Sequence, residues 1–330
     1  MNLDQRNDDQ PIRSGELPVV AGPSEDLSDL PADDEFEETP FSKWILPISL
    51  FVATIFTTLW AGAYQAYDGP IHGPVNFLLE HPETLWRGIP FAATLLIILV
   101  THEFGHYVLS RIHRVPASLP LFIPGPPYFI GTFGAIIRLR GPILNRRALF
   151  DIGVAGPIGG FIMLLPALWI GLQYSWLTPI ADLSGQRFGE PLLFKALAIL
   201  RFGSIPAGYE VVLHPIGFAA WWGMLATALN LMPFGQLDGG HLVYALLGRR
   251  AGYVSLATLG AAALLTILSI SWISMAVMMF AMAYFLGIGH PRVIDEEVPL
   301  DPRRRWVAAF ALLMFIVCFT PIPVEMFFKN

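Results

Sequence analysis

Apolar residues in this chain are gathered into long blocks, with polar and charged residues collected between them. The blocks are Trp44–Ala63, Gly88–Ile112, Leu149–Gln173, His214–Leu231, Tyr253–Ile270, Trp272–Gly289 and Trp306–Thr320. A hydrocarbon layer about 30 Å thick needs roughly 20 apolar residues of helix to cross it. The pattern therefore predicts an all-α polytopic membrane protein with about seven transmembrane helices. Trp44, Trp60, Tyr64, Trp86, Trp176, Trp272 and Trp306 fall near block ends, where interfacial aromatics sit. Between the second and third blocks, Ser118–Gly141 fits no helix, because Pro120, Pro124, Pro126 and Pro127 break helical hydrogen bonding. Gly131-Thr132-Phe133-Gly134 reads as a turn, and Ala135-Ile136-Ile137-Arg138-Leu139-Arg140 has strand-like β-branched content. Its place predicts a reentrant β-hairpin-like loop, tolerable in a bilayer only where protein or a water-filled cavity covers it. An ordinary loop outside the membrane is the plain alternative. Pro191–Phe202 is short and amphipathic, as a helix lying in the interface would be.

Composition agrees with the blocks. Of 330 residues, 54% are hydrophobic and 14% charged, and the mean hydropathy is +0.56, outside the soluble range. The net charge of −6 misleads, since residues 1–40 hold twelve acidic side chains against Arg6 and Arg13. Such a segment cannot bury enough apolar surface to fold, so 1–40 is expected to be a disordered, acidic, cytosolic tail. The membrane domain is then 41–330. With the N-terminus in the cytosol, seven spans leave twelve basic residues inside, among them Arg111, Arg114, Arg249, Arg250 and Arg303–Arg305, and five outside. The tail resembles neither a basic signal peptide nor an Arg/Ser-rich transit peptide. A bacterial inner (plasma) membrane is the expected location, and no nucleic-acid partner is expected. Cys318 is the sole cysteine, which excludes a disulfide framework and a cysteine-based metal site.

The second block contains His102-Glu103-Phe104-Gly105-His106, an HExxH sequence. Histidines four apart leave one face of a helix and can converge on one ion. Zinc suits two neutral histidines plus a carboxylate and keeps a position for water, from which the adjacent Glu103 can take a proton. Three ionisable groups at membrane depth are costly unless satisfied. Counted from Gly88 at about 1.5 Å per residue, His102 lies roughly 21 Å into the membrane. A third ligand is needed, and the candidate is Asp238 in Asn230-Leu231-Met232-Pro233-Phe234-Gly235-Gln236-Leu237-Asp238-Gly239-Gly240-His241. Pro233 and Gly235 break the helix and can turn Asp238 back toward the metal, while an Asp capping the next helix reads equally well. His241 is a candidate to orient Asp238. The small residues of Ala155–Gly160 suit close helix packing.

HExxH on one membrane helix, followed on a later one by an N-P-x-P-x-x-x-L-D-G-G-like segment, resembles the site-2 protease family of M50-type intramembrane zinc metalloproteases. The resemblance covers most of residues 88–248, the expected catalytic core, and Gly131–Gly160 looks closest to a bacterial and plastid subgroup related to plant EGY-type proteases. It implies one Zn2+ per chain held by His102, His106 and Asp238, with Glu103 as catalytic base. It also implies that Asn230 contacts the substrate backbone or steadies the developing oxyanion. Leu231 stands where the family has Pro. Gly131, Thr132, Phe133 and Gly134 would belong to a membrane-reentrant β-loop that holds an unwound substrate strand by edge pairing. The implied activity is hydrolysis of peptide bonds in or near transmembrane segments of membrane-protein substrates. Many relatives carry a PDZ or CBS domain; the loop Tyr174–Leu213 is too short for one. Two rivals remain at this point, a zinc transporter or sensor using the same ligands without catalysis, and a proteolytically silent adaptor.

Overall fold

The computed structural model of the chain describes residues 41–67, 69, 73–180 and 185–327, so the acidic segment 1–40 lies outside the described residues. Its helices are α1 (Leu46–Gln65), α2 (Pro74–Glu80), α3 (Ile89–Ile112), α4 (Arg146–Gln173), α5 (Leu192–Phe202), α6 (Pro215–Asn230), α7 (Asp238–Leu247), α8 (Ala251–Leu268), α9 (Trp272–Leu286) and α10 (Pro302–Cys318). Among the described residues strands are few and form three antiparallel pairs. These are β1 (Leu121–Pro124) with β2 (Thr132–Ile136), β3 (Trp176–Pro179) with β5 (Tyr209–Val212), and β4 (Gly185–Phe188) with β6 (Val324–Phe327).

Every predicted apolar block is helical, but the lengths differ from expectation. Among the described residues, four helical stretches are long and apolar enough to cross a membrane, namely Lys43–Gln65, Pro82–Ile112, Arg146–Gln173 and Asp238–Leu268. Helices α6, α9 and α10 have 16, 15 and 17 residues, and α6 at about 1.5 Å per residue reaches only some 24 Å. The expected fifth block, Tyr253–Ile270, begins earlier, because α7 and a 3-10 turn at Gly248–Arg250 precede α8 directly.

Helix α4 organises the rest. Asn145 caps it by accepting from the backbone N–H groups of Arg147 and Ala148. Its side chains Leu149, Phe150, Val154, Leu164, Leu168 and Leu172 are buried in one cluster with residues of α3, α6 and α7. Helices α6 and α7 lie end to end along it, in the opposite direction: Gly217 of α6 packs against Gly171, and His241 of α7 against Gly153. Two half-length helices thus flank a single long one, with the 231–237 loop between them. Outside this core, α8 and α9 turn Leu264, Ile267, Phe280 and Phe285 outward, as lipid-facing surfaces do.

The Ser118–Gly141 region is a hairpin, with a turn shifted from expectation. Leu121 pairs with Ile136 and Phe122 with Ala135, and after a register shift Pro124 pairs with Thr132. The turn is Gly125–Gly131, closed by the Gly125 N–H donating to the Gly131 carbonyl at 2.9 Å. Residues Thr132–Gly134, read from sequence as part of the turn, belong to β2. The reason lies in Pro126 and Pro127, which cannot donate to a ladder, and in the Thr132 hydroxyl, which bonds the Ile123 carbonyl at 2.9 Å and extends the pairing. The hairpin runs alongside α1. The rings of Phe51 and Phe122 are 4.8 Å apart, the Thr57 hydroxyl donates to the Gly131 carbonyl at 2.5 Å, and the Gln65 amide donates to the Phe129 carbonyl at 2.7 Å.

Candidate metal centre

Helix α3 presents His102 and His106 on the face packed against α4, and α7 begins with Asp238 facing both. His102 Nε2 lies 3.2 Å from Asp238 Oδ2, and His106 Nε2 lies 3.3 Å from Asp238 Oδ1. The two Nε2 atoms are 3.2 Å apart. Bonds of about 2.0–2.1 Å to a tetrahedral zinc place ligand atoms about 3.3 Å from one another, so the spacing of the two imidazole nitrogens, and of each from its nearer Asp238 oxygen, is the spacing zinc requires. Two imidazoles and a carboxylate are also the donor types zinc takes with a position left for water. His102, His106 and Asp238 lie close enough to form a metal site, and they are the sole cluster of its kind among the described residues.

The surroundings fix these donors. The His106 Nδ1–H donates to the Ile152 carbonyl at 2.7 Å, which leaves Nε2 with its lone pair toward the site. Gly156 faces that same ring: a Cβ at this position would come within 2.0 Å of His106 Nε2. The Ala155–Gly160 segment therefore does pack helices closely, as its composition predicts. Beyond packing, it holds open the volume of a ligand side chain. A period of three to four residues through Gly153, Gly156 and Gly160 was the available signal.

The 231–237 loop carries two expected site residues to the centre. Helix α6 ends at Asn230, whose Nδ2 lies 3.3 Å from His102 Nε2. Gly235 takes a left-handed backbone, φ +52, which residues with a Cβ rarely adopt. Two hydroxyls of α8 secure the loop: Ser255 accepts from the Gly235 N–H at 3.2 Å, and Thr258 donates to the Pro233 carbonyl at 3.2 Å. Sequence reading missed both. The break occurs with Leu231 in place of the family's Pro, and Leu231 is itself buried in the core.

Glu103 is buried beside the ligands, 7% exposed, and has no hydrogen-bond partner among the described residues. A carboxylate in that setting is held in place by packing, and its oxygens stay available to a small molecule at the centre. The hairpin residues are placed differently. Gly131 is bonded to α1 and the Thr132 hydroxyl to the hairpin itself, while Phe133 is 67% exposed and Gly134 is open on its side-chain side. Their hydrogen bonds do not reach the metal-site side chains. His241, one candidate to orient Asp238, is not hydrogen-bonded to it. Its Nδ1 pairs instead with His290 Nε2 at 2.6 Å, and Tyr244 stacks on His290. His113, just past the end of α3, meets Asp151 at 2.9 Å.

Comparison with known proteins agrees with this geometry. The sequence profile of peptidase family M50 matches residues 90–273, from the start of α3 to the start of α9. The chain is 28% identical over 303 residues to a probable zinc metalloprotease EGY2, chloroplastic, of Oryza sativa subsp. indica, covering 88% of this chain and 52% of that protein. To the EGY2 protein of Arabidopsis thaliana it is 27% identical over 306 residues, 90% of this chain and 52% of that one. To the EGY1 protein of Arabidopsis thaliana it is 32% identical over 169 residues, 49% and 30% of the two chains. The chain spans about half the length of the EGY2 relatives it matches. Those relatives are named as chloroplastic, so they give no support to the expected bacterial inner membrane. An integral membrane protein is what the apolar helices and the family indicate. With the profile covering more than half of its length, the chain belongs to peptidase family M50.

Proposed function

We propose that this chain is an intramembrane zinc metalloprotease of the site-2 type, hydrolysing peptide bonds in or near transmembrane segments of membrane-protein substrates. The observation that carries the reading is the convergence of His102, His106 and Asp238 from two separate helices, with the buried carboxylate of Glu103 next to the first of them. His102 and His106 through Nε2, and Asp238 through its carboxylate, would hold the zinc. Zinc supplies Lewis acidity, making water a better nucleophile near neutral pH and polarising a carbonyl. Glu103 accepts the proton of the attacking water and returns it to the nitrogen of the leaving amine. Asn230 offers its amide N–H to the scissile carbonyl oxygen as charge develops there, the kind of donor that steadies an oxyanion.

A substrate helix hides its amides in its own hydrogen bonds and must be unwound before it is cut. The edge of β2 not paired with β1 offers backbone groups for such a strand, with Gly131, Thr132, Phe133 and Gly134 at its start. Re-entry of this hairpin into the bilayer is supported by its contacts along α1, from Phe51 through Thr57 to Gln65. We read α6 and α7 together as one broken crossing and α8, α9 and α10 as three more, which with α1, α3 and α4 gives seven. Residues 1–40 would form an acidic tail on the arginine-rich, cytosolic side, and 41–330 the protease domain.

The test compares the purified wild type with Glu103→Gln, measuring bound zinc and cleavage of a model transmembrane substrate. One zinc in both, with cleavage lowered at least 100-fold in the variant, is expected. Equal behaviour of both proteins toward the substrate would favour a zinc transporter or sensor.

A further inference from the structure

The face of α3 turned away from the metal borders an open groove of about 540 Å³, walled by α3 and α10 and floored by α4. Thr101, Phe104 and Val108 line it at helical spacing, and Arg111 continues the same stripe to the end of α3. On the opposite wall Val307 faces the groove, and Arg303 lies one turn before it on the same side of α10. Apart from Thr101, Asp151 and Arg304, the lining is apolar. Arg304 is neutralised, its guanidinium meeting Asp151 at 2.8 Å and also Asp301. Asp151 in turn meets His113 at 2.9 Å. This chain ties the end of α3 to the start of α10, so Arg111 and Arg303 flank the same end of the groove. Both are exposed, and neither has an acidic partner among the described residues.

We propose that the groove holds an acyl chain of an anionic glycerophospholipid, with its phosphate between Arg111 and Arg303. Basic pockets between membrane helices recognise anionic headgroups in this way. The position matters because Phe104 and Gly105, which wall the groove, sit between the two metal-site histidines. Gly105 packs so tightly on α4 that a Cβ there would lie 2.4 Å from the Ala155 carbonyl oxygen. A lipid in the groove braces α3 against α4 from behind. The proposal needs only that the chain lies in a bilayer and is independent of peptide hydrolysis.

Native mass spectrometry of the full chain, supplied with phosphatidylglycerol and phosphatidylcholine of matched acyl chains, tests it. One phosphatidylglycerol should be retained, favoured by about 30-fold, from roughly fivefold for each basic residue near the headgroup. Arg111→Gln with Arg303→Gln should bring the preference within about twofold while lipid is still retained. Val307→Phe, which fills the groove, should lower retention of both lipids. If Val307→Phe does not fold, the two exposed arginine positions still decide the matter. Equal retention of both lipids by the wild type, no retained lipid, or an undiminished preference in the arginine variant overturns the proposal. A substrate helix as the occupant would give the first of these outcomes.

Discussion

Gly156→Ala is expected to separate the metal-holding role of α4 from simple helix packing. In an ordinary helix interior this substitution stabilises, by about 1 kcal/mol. Here the new methyl would lie 2.0 Å from His106 Nε2 and 2.5 Å from its two neighbouring ring carbons. Ordinary contact begins near 3.4 Å, so the ring must move by about 1.4 Å, whereas ligand distances at a zinc site tolerate about 0.2 Å. The ring cannot turn away freely, because its Nδ1–H is held by the Ile152 carbonyl. Loss of a supporting partner costs about 10–100-fold in metal affinity, and displacing a ligand should exceed that, so we expect a fall of at least 100-fold, or about 3 kcal/mol. Gly160→Ala is the control from the same helix face, since its methyl would sit 3.3 Å from His102 Cβ and 3.4 Å from Nδ1. That variant should stay within about tenfold of the wild type. Zinc competition against a chromophoric chelator gives the affinities, and thermal melting of the metal-free proteins reports any general damage. Wild-type affinity in Gly156→Ala, or equal losses in both variants, would refute the reasoning.

Two other predictions concern the loop and the start of α10. Ser255→Ala leaves the Gly235 N–H buried without a partner and should cost about 1–3 kcal/mol, against about 1 for Thr258→Val. Both should loosen zinc by several-fold, read by melting and chelator competition, and unchanged affinity would show that the 231–237 loop holds itself. Asp301 sits outside the membrane helices, and its carboxyl is held below the usual range, first by the Arg304 backbone N–H and then by the Arg304 side chain. A depressed carboxyl contributes fully above its unfolded pKa of about 3.9 and loses that contribution as the pH falls below it. The melting difference between wild type and Asp301→Asn should therefore be present at neutral pH and shrink on acidification, and a constant difference would count against the ion pair.

The parts of this site that a single helix encodes were legible in the sequence. His102 and His106 follow from spacing alone, since a helix fixes which positions share a face. Asp238 was a candidate from the helix break before it, but only the family resemblance favoured a ligand over a cap, because a ligand and a capping carboxylate look alike until a second helix is placed opposite. Gly156, Ser255 and Thr258 act on residues far away in the chain, and local pattern carries no record of such pairs. The hairpin was recognised by its prolines, yet its turn was set late, starting at Gly131 where the observed one ends, since Thr132 and Gly134 resemble turn residues as much as strand residues. Span lengths failed for a related reason. The fifth apolar block was read as starting at Tyr253, beyond Arg249 and Arg250, whereas helical backbone already begins at Asp238 and is interrupted at Gly248, with φ +60, before α8.

The break between α6 and α7 has a consequence in time. The third candidate ligand enters the chain 132 residues after His106, and it meets the histidines only when α7 has docked along the first half of α4. A ribosome-bound chain with α3 and α4 already inserted would hold two histidines and no complete centre. Hydrolytic competence would then arrive with one of the later folding events of the domain, after the helices that confine it are in place. For the protease proposed above, the order of synthesis would by itself keep an unfinished chain from acting on its neighbours in the membrane.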